Sequence, residues 1–185
     1  MKNWFQNKTI AVVGNAKSLF NSNYGNVIDT HNVVCRINRG FEVHSPESHG
    51  TKLDILCFAR YNTIKDHITQ NLKIKIKKFI HCSAKGRNDI KDHNITNITY
   101  IPTSNYWDLK KKLNLKKKQK PSSGLILLDY ISTCNPKRVS LFGFDWKKTP
   151  TFYDELRTDE PHLYHIEKQY VHDYFVKTLQ YELHS

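Results

Sequence analysis

Three short stretches of this chain hold side chains whose types and spacing could do chemistry. His162 directly follows Pro161, and four residues separate it from Glu167. Proline suits the first position of a helix, with Asp159 or Glu160 as its cap, so His162 is expected in the first turn of a helix over 160–183. The positive end of the helix dipole disfavours protonation there, and a neutral imidazole is what a general base must be. Pro121-Ser-Ser-Gly124 opens an apolar run that ends at Cys134. Ser122 or Ser123 can cap that helix, and Gly124 leaves the first amides uncovered, which makes an anion site. Gly14 and Asn15 close the run Ile10-Ala-Val-Val13. Asn15 therefore stands at the carboxyl end of a buried strand, where open α/β sheets place their ligands.

The elements that must position these residues alternate between strand and helix. Short apolar runs predict strands over 8–13, 33–37, 54–58, 75–81, 99–102 and 137–142. Helical spacing predicts helices over 63–72 (Ile64, Ile68, Leu72), 106–115 and 160–183. In the last of these, Leu163, Ile166, Tyr170, Tyr174 and Leu179 form an apolar stripe. Residues 18–26 and 41–52 read as turn-rich links. Arg36 and Asn38 fall on one face of the second strand, and a strand with two polar residues on one face ends at solvent or at a ligand. The helix after Pro121, the Asn135-Pro136 turn and the strand over 137–142 make an α/β unit, which argues for a parallel sheet. The expected fold is α/β, a single Rossmann-like domain over 1–185 with a mostly parallel sheet flanked by helices.

With 185 residues, 38% hydrophobic and 25% charged, the chain can bury one full core. Its net charge of +12 points to an anionic partner: nucleic acid, a membrane surface or a phosphorylated substrate. Seven of the eleven residues 110–120 are lysines. This reads as a mobile basic segment that would concentrate anionic ligands or hold the protein on acidic lipid. No stretch approaches the length needed to span a bilayer. The first eight residues lack the apolar centre of a signal peptide. Cys35, Cys57, Cys82 and Cys134 show no metal or redox spacing, and read as reduced thiols in a cytoplasmic protein.

Taken together and in order, these stretches resemble the sialylmotifs of the eukaryotic-type sialyltransferases, glycosyltransferase family 29. Val12-Val-Gly-Asn15, Asp29-Thr-His-Asn32 and Arg36-Ile-Asn38 resemble the large motif, and His49-Gly-Thr-Lys52 its tail. Pro121-Ser-Ser-Gly124 through Cys134 and Leu141-Phe-Gly-Phe144 resembles the small motif. Phe152-Tyr-Asp154 is similar to the third motif, and His162-Leu-Tyr-His-Ile-Glu167 has the spacing of the last.

The resemblance implies a variant GT-A fold and an inverting, metal-independent transfer from a CMP-sugar donor, normally CMP-sialic acid, to a glycan hydroxyl. No Asp-x-Asp metal pair is present, consistent with the absence of a cofactor. The resemblance assigns nucleotide and phosphate binding to Asn15 and Asn38. It assigns the donor carboxylate and ribose to Ser122, Ser123 and Gly124, and the catalytic base to His162. Glu167 would support the helix, since a spacing of five puts it off the His162 face. No histidine is available in the third motif to help hold phosphate, and Tyr153 is the substitute. Cys134 matches a cysteine that forms a disulfide in the secreted enzymes, but Ile10 stands at its partner's position, as expected for a bacterial- or viral-type relative in a reducing cytoplasm.

The competing donors are CMP-Kdo and other CMP-nonulosonates, which carry the same carboxylate and leaving group. A basic nucleic-acid-binding module is the reading from another class. It is disfavoured because the chain has no RNA-binding signature and its lysines cluster in one segment. Charge and compartment suggest an acceptor in lipopolysaccharide or another cell-envelope glycan, with peripheral contact at the inner membrane face.

Overall fold

The computed structural model describes residues 2–43, 45–65, 76–84, 95, 97–154, 161–179 and 181–184. Its centre is a seven-stranded sheet: β1 Thr9–Val13, β2 Val33–Ile37, β3 Ile55–Phe58, β4 Lys78–His81, β5 Ile98–Tyr100, β6 Arg138–Phe142 and β7 Glu182–His184. The strand order is β5-β4-β3-β2-β1-β6-β7, and every pairing is parallel. The order reverses at β1: β2 to β5 extend to one side, β6 and β7 to the other. A crevice therefore opens at the carboxyl ends of β1 and β6.

The central strands are parallel because their sequences are apolar on both faces. β2 and β3 are buried along their whole length, and β1 from Ile10 onward. Alternate residues go to opposite layers. Ile10, Val12, Cys35, Ile55, Cys57 and Leu141 face the larger core, which holds Leu125, Leu128, Ile131 and Phe175. Ala11, Val13, Val34 and Phe142 face a smaller one with Leu19 and Ile28. The α-helices used below, among the described residues, are α1 Lys2–Phe5, α2 Gly25–Asp29, α3 Pro46–His49, α4 Thr103–Lys112, α5 Ser123–Ser132 and α6 Tyr164–Tyr170.

The carboxyl-terminal segment differs from the expected continuous helix. α6 starts at Tyr164, and Pro161 and His162 precede it; Asp159 and Glu160 lie outside the described residues. The chain then widens into a π-helical stretch, Val171–Val176, makes a short turn at Lys177–Leu179, and ends in β7. Its buried line is Glu167, Val171 and Phe175, whereas Tyr174 and Leu179 are 40% and 38% exposed. The helix expected over 106–115 is α4, three residues earlier. Of the one expected over 63–72, residues 66–72 lie outside the described residues, and Ile64 is buried.

The two ends of the large motif are knitted to each other. The Asp29 carboxylate accepts the Thr51 and Lys52 amides at 2.8 and 2.9 Å and the Thr51 hydroxyl at 2.9 Å. The buried Arg36 guanidinium donates to the carbonyls of His49, Gly50 and Lys52. Arg36 thus holds the loop under the sheet's carboxyl edge. Gly50 has φ +67°, and a Cβ there would lie 2.3 Å from Asp29 Oδ1, so this junction needs glycine. His31 is buried, with Nδ1 on the Val27 and Ile28 carbonyls and Nε2 on the Ser140 hydroxyl.

All four cysteines are free thiols and buried, and Cys134 shares the larger core with Ile10. The lysine-rich segment is anchored at several points. Leu113 and Leu115 are buried, Lys112 bonds Asp129 at 3.2 Å, and Lys116 N–H donates to Gln119. Among the described residues no helix is long and apolar enough to cross a membrane.

His49 generates a test of this architecture. Burial and the Arg36 charge push its imidazole down to about 4. Burial also lowers His31. Both are harder to protonate in the folded protein than in the unfolded chain, which takes up a proton near 6.5. The unfolded state binds more protons between those values, so stability rises with pH there and falls on acidification. The expected result is a melting temperature that drops from pH 6.5 to about pH 4, with a shallower drop in His49→Gln. A flat profile over that range in the unsubstituted protein contradicts it.

Candidate active site

A cavity of about 410 Å³ opens at the switch point. Its walls come from the carboxyl ends of β1 (Gly14, Asn15), β2 (Asn38), β3 (Ala59, Arg60) and β6 (Gly143 to Lys147), the start of α5, and the approach to α6. Asn15, Asn38, Ser122, Ser123, Gly124, Tyr153 and His162 all line it. The floor is made where β1 and β6 converge. Gly14 N–H donates to Phe142 O at 2.7 Å, and a Cβ on Gly14 would sit 2.3 Å from Gly143 O. Only glycine permits that approach.

Asn15, Asn38 and Tyr153 form one cluster. Asn15 Nδ2 donates to Ile37 O at 3.0 Å and reaches the Tyr153 hydroxyl at 3.3 Å. Its buried Oδ1 has no partner among the described residues. Asn38 adopts φ +48°, a conformation asparagine tolerates, and its Oδ1 accepts the Ala59 amide at 3.3 Å. Its side chain also bonds the Tyr153 phenol. Burial raises that phenol above its ordinary range, so it is a protonated donor at neutral pH. The Arg39 guanidinium lies over the Tyr153 ring, 5.1 Å from its centroid.

Ser122 is the cap of α5, its hydroxyl oxygen accepting Leu125 N–H at 3.2 Å. Both of its donors are taken by Glu167: the amide meets Oε1 at 2.7 Å and the hydroxyl meets Oε2 at 2.6 Å. Glu167 is only 1% exposed. Ser122 therefore positions the turn, and the groups that stay open to an anion are the Ser123 and Gly124 amides. These precede the first intrahelical bond, from Ile126 N–H to Ser122 O.

His162 is oriented by the backbone. Its Nδ1 lies 2.8 Å from Lys120 O. A carbonyl can only accept, so Nδ1 carries the proton and Nε2 of the neutral ring is the basic nitrogen. This differs from the dipole account expected from sequence, because His162 precedes α6. Lys120 N–H in turn donates to Pro161 O at 2.9 Å. Two other histidines of the matched motifs lie away from the cavity: His165 is exposed, and His31 is buried within the fold.

The far wall follows β6. Asp145 accepts the Lys147 amide at 3.0 Å, the Thr149 amide at 2.9 Å and the Ser18 hydroxyl at 3.1 Å. It thereby holds Trp146 and Lys147 at φ +61° and +63°. Two consecutive non-glycine residues in that region are strained, by about 1–3 kcal/mol each. The turn sets Trp146 beside Phe144, ring centroids 5.8 Å apart, on the cavity wall. Trp146, Lys147, Tyr164 and Arg60 were missed in the sequence reading. The available signal was position, since Arg60 comes two residues after the end of β3 and Trp146 four residues after the end of β6. Among the described residues, no three His, Cys, Asp or Glu side chains gather as metal ligands.

Residues 5–87 match the model of glycosyltransferase family 29 (sialyltransferase). The fold agrees with solved sialyltransferase structures. A mammalian sialyltransferase in complex with Gal-β-1,3-GalNAc-ortho-nitrophenol aligns with a TM-score of 0.66 at 17% identity, over 99% of this chain and 71% of that one. The monofunctional α-2,3-sialyltransferase Cst-I from Campylobacter jejuni gives 0.62 at 17%, over 91% and 73%. The sialyltransferase Cst-II in complex with CMP gives 0.63 at 17%, over 96% and 80%. No curated protein sequence matches the chain. Asn15 and Asn38 lie within the family 29 match, and Ser122, Tyr153, His162 and Glu167 lie beyond it.

The Glu167–Ser122 contact yields a stability test. Hydrogen bonds to a charged acceptor contribute about 1.5–3 kcal/mol each. Glu167→Ala is expected to lower the unfolding free energy by about 3 kcal/mol or more. Glu167→Gln should recover part of it, since the amide oxygen still accepts the Ser122 amide. Urea melts of the three proteins measure this. An alanine variant as stable as its parent would show that the carboxylate does not hold the turn.

Proposed function

We propose that this chain is a family 29 sialyltransferase that moves sialic acid from CMP-sialic acid to a sugar hydroxyl of a glycan, with inversion and without a metal ion. One observation supports it most. A single cavity holds an imidazole of fixed tautomer opposite a helix start with two open amides, beside an asparagine–asparagine–tyrosine cluster. A negatively charged donor with a separate nucleotide and sugar carboxylate would use all three. In this reading Asn15, Asn38 and Tyr153 hold the nucleotide and its phosphate, and the Ser123 and Gly124 amides take the donor's carboxylate and ribose. Ser122 acts through the turn it caps. The complexes of Cst-II with CMP and of a mammalian sialyltransferase with a disaccharide analogue agree with a donor and an acceptor of these classes.

The chemical step is a single displacement. The acceptor oxygen bonds to the anomeric carbon as the bond to CMP breaks, and the electron pair leaves on the phosphate. The acceptor's proton passes to Nε2 of His162. Hydrogen bonds from protonated Tyr153 and from backbone amides stabilise charge as it develops on the leaving group. Donors of the CMP-Kdo type share this chemistry. We further propose that the acceptor is a cell-envelope glycan, in keeping with the strongly basic chain.

Two measurements test this function. His162→Ala is expected to lower turnover by about 10²–10⁴-fold, the usual range for losing a general base, while CMP affinity is retained. His165→Ala should leave turnover near normal. The reverse pattern overturns the assignment. A donor screen following CMP release, with CMP-sialic acid and CMP-Kdo as separate arms, should give unchanged rates in EDTA. Loss of activity restored by magnesium or manganese would refute the metal-free reaction.

A further inference from the structure

The densest run of positive charge in this chain is residues 110–120, with seven of its 29 lysines and arginines. The run holds no acidic residue, against a net charge of +12 for the whole chain. Leu113 and Leu115 are buried, which fixes this segment on the body, with the lysines on either side of them. Lys111, Lys116, Lys117 and Lys118 are exposed, and Lys112 is engaged by Asp129. One turn earlier on α4, Trp107 is 54% exposed, with its ring 5.0 Å from Tyr106 and Lys110 Nζ 5.9 Å above it.

We propose that this face docks on an anionic lipid surface and thereby presents the cavity to an acceptor carried in that surface. Two features favour lipid over nucleic acid. The lysines form a short cluster rather than a long groove. Beside them stands a large amphipathic ring that the fold leaves in water, and tryptophan is the residue best suited to the headgroup boundary. Clustered lysines supply long-range attraction to acidic headgroups, and the indole supplies insertion. The same segment runs into the site. Its last lysine, Lys120, carries the carbonyl that orients His162 and the amide that bonds Pro161. Docking through Lys111 and Lys116–118 would set the cavity mouth a few residues from the lipid surface. The binding itself does not depend on the proposed transferase function; only the advantage for a lipid-borne acceptor rests on it.

The test is sedimentation of the full chain with vesicles of phosphatidylcholine, with and without phosphatidylglycerol, across a salt series. The protein should pellet with the anionic vesicles alone, less so as salt rises. The variant carrying Lys111→Gln, Lys116→Gln, Lys117→Gln and Lys118→Gln should lose roughly 10²–10³-fold in partitioning. Trp107→Ala should lose several-fold at every salt concentration. Both variants should melt as the parent does and release CMP from CMP-sialic acid on a soluble acceptor at the parent's rate. Failure of that last control in the parent would count against the transferase function while leaving vesicle binding standing. The proposal is overturned if the parent ignores phosphatidylglycerol, binds pure phosphatidylcholine equally well, or keeps its partitioning in the lysine variant. It is also overturned if a single-stranded RNA at matched salt binds more tightly and displaces the vesicles.

Discussion

The helix start and the histidine segment at this site are tied together by one buried carboxylate. Glu167 reaches from α6 to the start of α5 and takes both donors of Ser122. Two residues upstream of Ser122, the Lys120 carbonyl and amide bind His162 and Pro161. Two short segments, 120–122 and 161–167, are thus stapled together at both ends. The imidazole and the open amides of α5 are fixed relative to each other without either being part of the sheet. Removing the carboxylate would leave a partly buried amide and hydroxyl unpaired, a cost that only another acceptor at this position would avoid.

That arrangement has an electrostatic side. A carboxylate at a helix N-terminus neutralises part of the positive end that would otherwise attract an anion. The opening of α5 therefore recognises a ligand by the direction of the Ser123 and Gly124 amides more than by net charge. Positive charge is supplied from the rim instead, where Arg60 and Lys147 line the same cavity. Attraction and orientation are separated: cations draw an anion in, and aligned amides decide how it sits.

The central strands could be read from sequence almost to the residue because they are short β-branched runs buried on both faces. β2 was expected over 33–37 and lies at Val33–Ile37. Gly14, Asn15 and the Ser122–Gly124 turn were legible because parallel strands and helix starts put ligand groups at predictable ends. The last 25 residues were not. Glu167 is polar and buried, so a count of apolar residues skips it and selects a stripe through Ile166, Tyr170 and Tyr174 in place of Glu167, Val171 and Phe175. The π-helical widening at Val171–Val176 then shifts the phase again. β7 is three residues long with no apolar run, and only its pairing with β6 makes it a strand. The tautomer of His162 was beyond reach, because it depends on a carbonyl 42 residues away.

The wall formed by Trp146 and Lys147 has a meaning for how such a protein can change. Both residues sit in left-handed backbone that glycine would occupy with less strain, and Asp145 keeps them there. A more stable chain is therefore close at hand in sequence, one glycine away. At position 146 that glycine would give up the indole that shapes the cavity beside Phe144. Robustness of the backbone and the shape of the cavity therefore pull this one residue in opposite directions.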